Sequence, residues 1–390
     1  MTPAARSQAA IDILDQVVDA ARGGGAAADT LVARYFASRR YAGAKDRRAV
    51  RDLVYAAIRR AGELPENGRA ALVGLAREDD ALAATFDGSA HGPAPLDPAE
   101  PAAAAGVMPS WLSAALIASD VPVSAQQALV ARAPLDIRVN RLRTDVASIR
   151  AEIGGEAVAG LPDALRLPNG TNVEPLAGRV EVQDAGSQIV SLAARAEPGQ
   201  NIIDLCAGGG GKTLALAAAM DNRGELIASD VDRARLSRLA PRAEKAGVTI
   251  ARPLLLDAGR EAAALAPFAG AADTVLVDAP CSGTGTWRRN PEARWRLTPQ
   301  RLERFAQQQR HVLELAAPLV RPGGALVYIV CSLLDAEGAA QVDAFLATSP
   351  GWRAEPLDLP AGRPRGSGLR LDPAHDGTDG FFVARLIRLC

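Results

Sequence analysis

The sequence predicts a multidomain protein with three parts: an all-helical N-terminal region, a small α+β segment and a C-terminal α/β domain. Apolar residues recur at helical spacing through the first third of the chain, short strands begin near residue 135, and strands alternate with helices from residue 201. This alternation is typical of a parallel sheet with helices on both faces. We expect the three parts to span residues 1–133, 134–180 and 181–390.

The composition is that of an ordinary globular protein. The 390 residues carry a net charge of −1 and are 48% apolar, which is enough to bury a large core in more than one domain. No run of about 18 apolar residues occurs, and the first residues lead into an amphipathic helix instead of a signal peptide. We therefore expect a cytoplasmic protein without a membrane partner, and we expect it to be a monomer.

The helical region contains a strongly basic stretch. Residues 39–60 carry eight basic side chains against two acidic ones, and Val50, Val54 and Ile58 form an apolar stripe along them. This pattern predicts a helix that packs on one face and is positive on the other. The positive face suits a phosphate backbone, and the alternative is an ordinary solvated helix surface. Residues 86–109, rich in Ala, Pro and Gly, predict a long surface loop.

Strand and helix patterns continue through the rest of the chain. In the α+β segment, strands are predicted over residues 137–139 and 164–167, with a helix between them over residues 146–153. In the C-terminal domain the predicted strands are 202–205, 226–229, 250–256, 274–277, 325–331 and 381–387, with helices after residue 211, from residue 234, over 299–319 and over 336–346.

Residues 201–213, with the sequence N-I-I-D-L-C-A-G-G-G-G-K-T, predict a strand, a tight turn and a helix. Glycines without Cβ atoms let a ligand approach the backbone, and the helix that follows offers free N–H groups. A phosphate-binding P-loop would need glycine where Cys206 stands, and the dinucleotide fingerprint fails at Thr213 and Leu214. The alternative is that the glycines only close a sharp turn.

The ends of the predicted strands carry the remaining candidate residues. Asp230 ends the strand after the glycine turn, where a carboxylate can accept hydrogen bonds from ribose hydroxyls. This pattern favours an adenosine ligand without a pyrophosphate, and S-adenosylmethionine is the candidate. Asp232, just before the next helix, is better explained as its N-cap. Further strand-end residues are Asp204, Cys206, Asp257, Asp278, Cys281 and Cys331.

The four cysteines, Cys206, Cys281, Cys331 and Cys390, form no C-x-x-C pair, so neither a zinc site nor a disulfide framework is predicted and we expect no metal. A single cysteine at a strand end is usually a small buried hydrophobic residue. Two of them at the same edge of a ligand-binding sheet favour chemistry at the thiols instead.

A second basic segment follows Cys281. Residues 286–310 hold seven Arg against two Glu, and the arginines alternate with tryptophans over residues 287–296. Aromatic rings and guanidinium groups stack on exposed bases, so we predict that Arg288, Arg289, Arg294 and Trp295 bind RNA. The alternative is an Arg-rich helix face with two anchoring tryptophans.

Four motifs together resemble the RNA 5-methylcytosine methyltransferases of the RsmB/Sun/nucleolar-protein family. They are D-L-C-A-G-G-G-G-K-T at 204–213, D-V-D at 230–232, D-A-P-C-S-G-T-G at 278–285 and V-C-S at 330–332. Residues 138–142, Gln183-Asp184 and 377–382 are similar to further family motifs. The resemblance covers most of the chain and is weakest over residues 62–109. Where the family has C-A-A-P-G-G-K, this chain has Gly208 and Gly209 in place of Ala and Pro.

The resemblance implies a NusB-like RNA-binding domain, a small RNA-binding segment and a Rossmann-like class I methyltransferase domain. It implies Cys331 as nucleophile, Cys281 as the thiol that assists release of the adduct, and Asp278 as the group that holds N3 of cytosine. The implied cofactor-binding residues are Cys206, Ala207, Gly208, Gly209, Gly210, Gly211, Lys212, Asp230, Asp257 and Asp278. The implied substrate is RNA, with 16S rRNA ahead of tRNA, and the rival function is RNA binding by a catalytically degenerate relative.

Overall fold

The computed structural model describes all 390 residues, Met1–Cys390, and they form two compact units. The first unit consists of Met1–Arg132 together with Thr286–Thr298, and the second of Ala133–Gly285 together with Pro299–Cys390. The predicted small α+β segment therefore belongs to the same compact unit as the C-terminal sheet. Thr286–Thr298, which the sequence placed in the C-terminal domain, folds with the helical unit instead.

The first unit is all-helical, as the apolar periodicity predicted. Its helices are α1 (Pro3–Gly23), α2 (Ala28–Ala37), α3 (Ala44–Arg60), α4 (Gly68–Ala76), α5 (Asp80–Ala83), α6 (Ser110–Ala118) and α7 (Val123–Gln126). Thr2 begins α1 by accepting a hydrogen bond from Ala5 N at 3.1 Å, and Gly24 ends it in the left-handed conformation. The predicted loop at 86–109 contains neither a helix nor a strand. The likeness to NusB stays a prediction.

The segment Thr286–Thr298 supplies groups that the helices of the first unit lack. Its Glu292 accepts a hydrogen bond from Ala28 N at 3.0 Å, so it caps α2, whose own N-cap residue is an alanine. Arg294, which has no exposed surface, donates to the carbonyl oxygens of Ile58 at 2.6 Å and Ala61 at 2.8 Å at the end of α3. The indole of Trp295 belongs to the apolar core of the helices.

The second unit begins with a small antiparallel sheet. Its strands are β1 (Leu135–Val139), β2 (Glu156–Val158), β3 (Leu161–Leu167) and β4 (Val180–Val182), in the order β2-β3-β1-β4, with α8 (Val146–Ile153) between β1 and β2. This confirms the two predicted strands and the predicted helix. The short strands β2 and β4 were not predicted.

The large sheet of the second unit has nine strands. They are β5 (Asn201–Asp204), β6 (Glu225–Asp230), β7 (Ala251–Leu255), β8 (Ala272–Asp278), β9 (Val320–Val330), β10 (Trp352–Glu355), β11 (Arg363–Arg365), β12 (Gly368–Leu371) and β13 (Phe381–Arg388). The order is β11-β12-β13-β9-β8-β5-β6-β7, with β10 paired to β13. The five strands β7, β6, β5, β8 and β9 are parallel.

The sheet is mixed, which corrects the prediction of a parallel sheet: its central strands are parallel, and the strands beyond β9 are antiparallel. Strand β13 runs antiparallel to β9, with Val383 opposite Ile329, and β10 to β12 extend the sheet in antiparallel pairs. An apolar strand at the end of the chain can pair in either direction, so its sequence does not fix its orientation.

Helices pack on both faces of the sheet and bury two apolar clusters. The helices of this unit are α9 (Ala185–Ser191), α10 (Gly211–Ala219), α11 (Arg233–Leu236), α12 (Leu239–Ala246), α13 (Glu261–Leu265), α14 (Pro299–Ala316), α15 (Ala339–Thr348) and α16 (Pro373–Asp376). Ile202 on β5 faces one cluster and Ile203 the other, as strand geometry requires. No helix of either unit is long and apolar enough to span a membrane.

Candidate active site

The predicted glycine turn joins β5 to α10 at the carboxyl edge of the parallel strands. Gly208 and Gly210 have φ angles of +55° and +86°, which side-chain-bearing residues rarely adopt. A Cβ atom on Gly208 would lie 2.4 Å from an Nη atom of Arg235 and 3.0 Å from its Cζ. Glycine therefore suits the backbone conformation of the turn at this position, and the guanidinium group of Arg235 packs against it.

Asp230, at the end of β6, is buried against this turn. One of its carboxylate oxygens accepts from Gly208 N and the other from Asp232 N, each at 2.7 Å. Asp232 in turn accepts from Arg235 N at 3.0 Å, which confirms its prediction as a helix N-cap. Asp230 thus fixes the shape of the glycine turn, a role that its position at a strand end did not reveal.

Asp257 lies at the same edge, beyond β7. Its neighbour Leu256 donates its N–H to the carbonyl oxygen of Asp230 at 3.0 Å, which places the chain after β7 beside the end of β6. The Asp257 side chain is exposed and open to a ligand.

Asp204 ends β5 and is completely buried. One of its oxygens accepts from the hydroxyl of Thr213 at 2.6 Å, and the other oxygen is buried without a partner. Burial raises the pKa of this carboxyl to about 7, although the hydrogen bond from Thr213 opposes the shift. The sequence singled out this residue only as a strand end.

Lys212, the second residue of α10, forms an ion pair with Asp278 at the end of β8. The distance from its Nζ to the Asp278 carboxylate is 2.7 Å. Burial alone would lower the pKa of Lys212, but the charge and the hydrogen bond of Asp278 outweigh it and raise the pKa. Cys331 also contributes to this rise, and the ring of Phe381 lies 5.6 Å from Nζ. Lys212 is therefore a buried cation paired with a carboxylate at this edge of the sheet.

The two cysteines that follow neighbouring strands meet at this edge. The sulfur atoms of Cys281, after β8, and Cys331, after β9, lie 3.3 Å apart. The hydrogen bond with Cys331, followed by burial, raises the pKa of Cys281 well above its ordinary value. At this distance one thiol of the pair can donate its S–H to the sulfur of the other.

Cys206 is the third cysteine at the edge, and its environment differs. Burial, followed by the charges of Asp230 and Asp204, raises the pKa of its thiol far above the ordinary value. The Cys206 thiol is therefore held in its neutral form within the turn.

Close backbone contacts hold the cysteine loops. Gly285, in the S-G-T-G motif, donates to the carbonyl oxygen of Cys331 at 3.0 Å and accepts from Gly380 N at 2.8 Å. A Cβ atom on Gly285 would lie 2.0 Å from the carbonyl oxygen of Gly380. The contact between the two glycines brings the motifs at 278–285 and 377–382 together in space. Sequence reasoning missed one residue behind these loops, the buried Glu337.

The structure buries three of the four residues that were predicted to bind RNA, Arg288, Arg294 and Trp295. Arg288 and Arg294 are buried, and the Trp295 indole donates to the carbonyl oxygen of Ala61 at 3.0 Å. Burial lowers the pKa of Arg294 to about 9, which reflects its position inside the helical unit. Arg289 is half-buried. The alternative with anchoring tryptophans fits these residues better.

Residues 191–387 match the family model described as 16S rRNA methyltransferase RsmB/F. The protein named probable ribosomal RNA small subunit methyltransferase B of Synechocystis sp. is 38% identical over 267 residues, which cover 65% of this chain and 59% of that protein. The chain thus spans less than two thirds of the length of this relative.

Two solved structures share the fold. The crystal structure of PH0851 is 25% identical with a TM-score of 0.78, and the match covers 98% of this chain and 99% of that one. The structure of NSun6 from Pyrococcus horikoshii with SFG is 21% identical with a TM-score of 0.61, over 68% of this chain and 93% of that one. The family resemblance drawn from the motifs is confirmed by the match over 191–387, and the chain belongs to the 16S rRNA methyltransferase RsmB/F family.

Proposed function

We propose that this protein transfers a methyl group from S-adenosylmethionine to C5 of a cytosine in RNA, and that its substrate is 16S rRNA. The observation that carries the proposal is the contact of two thiols, Cys281 and Cys331, at 3.3 Å beside the Lys212–Asp278 ion pair. C5 of cytosine attacks a sulfonium methyl poorly unless a nucleophile first adds at C6. The thiol pair near the Lys212–Asp278 ion pair can supply this nucleophile.

The residues around the glycine turn fit such a cofactor. Gly208 has a positive φ and leaves the backbone of the turn without a Cβ atom, Asp230 and Asp257 lie at the ends of adjacent strands, and α10 begins with N–H groups that its own helix does not use. When bound, S-adenosylmethionine supplies an electrophilic methyl group on a positively charged sulfur. Residues 206–212 with Asp230, Asp257 and Asp278 would hold it.

Each thiol has a separate role in the proposed mechanism. The Cys331 thiolate forms a bond to C6, electron density moves to C5, and Asp278 holds the N3 side of the ring. Cys281, 3.3 Å from the Cys331 sulfur, would then act as the base that takes the proton from the methylated C5, while the electrons of that C–H bond form the C5–C6 double bond and the S–C6 bond breaks to release Cys331 as a thiolate.

Methylation of purified RNA tests the proposal directly. We expect labelled methyl groups to enter 16S rRNA as 5-methylcytosine, identified by nucleoside mass spectrometry and then mapped. Label in tRNA alone would favour the tRNA alternative. RNA binding without any methyl transfer would favour the degenerate RNA-binding protein.

Substitution of each thiol tests the assignment of roles. Cys331→Ala should abolish methylation and trap no RNA, because the first bond cannot form. Cys281→Ala should form the adduct and stall, giving a slowly migrating protein–RNA complex on a denaturing gel. The opposite pattern would exchange the two roles, and full turnover by both variants would rule out the covalent mechanism.

A further inference from the structure

Glu337 lies in the turn between β9 and α15 and is 1% exposed. Its Oε1 accepts from Ser282 N at 2.8 Å and from the side-chain amide of Gln309 at 3.1 Å. Its Oε2 accepts from the hydroxyl of Ser332 at 2.5 Å and from the hydroxyl of Ser282. The carbonyl oxygen of Glu337 accepts from the Tyr328 hydroxyl at 2.6 Å.

These partners belong to the two cysteine loops. Ser282 directly follows Cys281, and Ser332 directly follows Cys331. Gln309, on α14, also donates to the carbonyl oxygen of Pro280 at 2.9 Å, one residue before Cys281. The buried carboxylate of Glu337 therefore contacts both cysteine loops directly. It also contacts the Cys281 loop indirectly, through Gln309.

The geometry points to Glu337 as a positioning residue that holds the loops of Cys281 and Cys331 together, so that the two sulfur atoms stay in contact. The effect on methylation rests on the proposed function, whereas the effect on the thiols does not.

A carboxylate is the side chain that suits this position. It accepts hydrogen bonds only and has about four lone-pair directions, and four donors meet it here. A buried charge is tolerated when it is fully hydrogen-bonded, and the same bonds fix the groups that make them. An amide at this position would turn an NH₂ group toward two hydroxyls that now donate to oxygen.

Phenylarsine oxide tests the position of the thiols without RNA or cofactor. Its trivalent arsenic forms one bond to each of two neighbouring sulfurs, and its oxygen leaves with the two thiol protons as water, so no oxidant is needed. We expect wild-type protein to bind one arsenical through the pair, as shown by intact mass. Glu337→Gln should weaken this binding and lower kcat for methyl transfer, each on the order of ten-fold or more, because misplacement of reacting groups by about 1 Å has effects of that size. The Kd of the cofactor should not change.

Matched variants separate positioning from general loss of stability. Gln341→Leu alters another buried polar residue of this region, which bonds to Ala336 O and not to the cysteine loops, and should bind the arsenical like wild type. Ser332→Ala removes one of the four donors and should give a smaller loss than Glu337→Gln. In the Glu337→Gln background it should add little, because both changes break the same contact.

Arsenical affinity of folded Glu337→Gln equal to that of wild type would overturn the inference, as would an equal loss in Gln341→Leu. If Glu337→Gln does not fold, unchanged affinity in Ser332→Ala would overturn it. If the wild type binds the arsenical but methylates no RNA, the proposed function fails and the positioning role still stands.

Discussion

Among the carboxylates around the glycine turn, Asp204 is the one with a buried oxygen atom that has no hydrogen-bond partner. Its neighbours Asp230 and Asp278 receive backbone N–H groups or a lysine, whereas Asp204 receives a single hydroxyl. Water cannot reach it, so burial dominates its titration and raises its pKa to about 7. Thr213, the donor to Asp204, directly follows Lys212, so the charge of this carboxyl bears on the start of α10.

Asp204 should make the protein less stable as the pH rises toward neutrality. Its pKa is raised from 3.8 in the unfolded chain to about 7 in the folded protein, so between these values the folded state binds more protons. The contribution is full below pH 4 and is lost as the pH rises through 7. An asparagine side chain does not titrate, so this loss is absent in Asp204→Asn. The unfolding free energy of the variant should therefore increase relative to that of wild type between pH 5 and pH 8. Urea unfolding measures both proteins at pH 5 and pH 8. The same difference in unfolding free energy between variant and wild type at the two pH values would contradict the raised pKa.

Asp230→Ala should weaken binding of S-adenosylmethionine by about 1 to 3 kcal/mol, the size expected for charge-assisted hydrogen bonds. Part of the loss comes from the Gly208 N–H, which would no longer be held by the carboxylate. Calorimetry on the free protein measures the effect. Asp232→Ala removes the neighbouring helix cap and serves as the control, so an equal loss in both variants would assign the effect to α11 instead of the turn.

Residues at strand ends could be predicted from the sequence, and Glu337 could not. Parallel strands end at one edge, so chain order alone brings Asp230, Asp278 and Cys331 together. Glu337 lies five residues after Ser332 in a stretch predicted to be helical, and its partners come from three separate parts of the chain. The sequence contains no local pattern for such a contact.

At the scale of elements, the basic stretches divide into arginines that hold the fold and arginines that face solvent. In the stretch 39–60, Arg60 pairs with Glu78 and Arg39 stacks 3.6 Å from the centre of the Tyr35 ring, whereas Lys45, Arg48 and Arg51 on α3 are exposed. The amino-acid composition does not distinguish buried arginines from exposed ones. We still predict phosphate binding for the exposed residues of α3, and we no longer predict it for the buried arginines of Thr286–Thr298.

Replacing Lys45, Arg48 and Arg51 together by Ala should weaken RNA binding and flatten its salt dependence. About 0.7 counterions are released for each phosphate contact on a single strand, so the slope of log K against log salt should fall by about 2. Filter binding at several salt concentrations provides the measurement. A control variant neutralises three exposed cations elsewhere, Arg34, Lys245 and Arg353. Equal slopes in the two variants would show that α3 has no special contact with RNA.

Arg294→Ala should lower the unfolding free energy by at least about 2 kcal/mol, because it leaves carbonyl groups at the end of α3 without their charged donor. Arg34, exposed on α2, provides the control, and Arg34→Ala should change stability little. Chemical unfolding followed by tryptophan fluorescence measures both. If Arg294→Ala were as stable as Arg34→Ala and bound RNA more weakly, the original RNA-binding prediction would be restored.

At the scale of the whole molecule, the division of the chain into units differs from its linear order. The alternating pattern correctly indicated the central strands, since each apolar run is long enough to be recognised alone. It could not indicate that Thr286–Thr298 folds with Met1–Arg132, because the decisive contacts are between backbone carbonyls and side chains far apart in sequence. Non-local contacts of this kind have no signature in local periodicity.

A fragment containing residues 1–132 should therefore be less stable than the same residues within the complete chain. Without Trp295 the helical core loses a buried indole, and removal of such a side chain costs about 3 to 5 kcal/mol. A peptide of residues 286–298 added in excess should raise the melting temperature of the fragment, measured by circular dichroism. The same peptide with Trp295→Ala and Arg294→Ala should not, and equal effects of the two peptides would contradict the assignment.

Ribosomes synthesise this chain from its first residue, and the piece that completes the helical unit is made late. At typical translation rates Thr286 follows Arg132 after on the order of ten seconds. During that interval the site for Trp295 is open, and the nascent helices expose apolar surface that chaperones recognise. Cys281 precedes Thr286 in the chain. Cys281, the first of the two paired thiols, is therefore already part of the chain when the helical unit is completed.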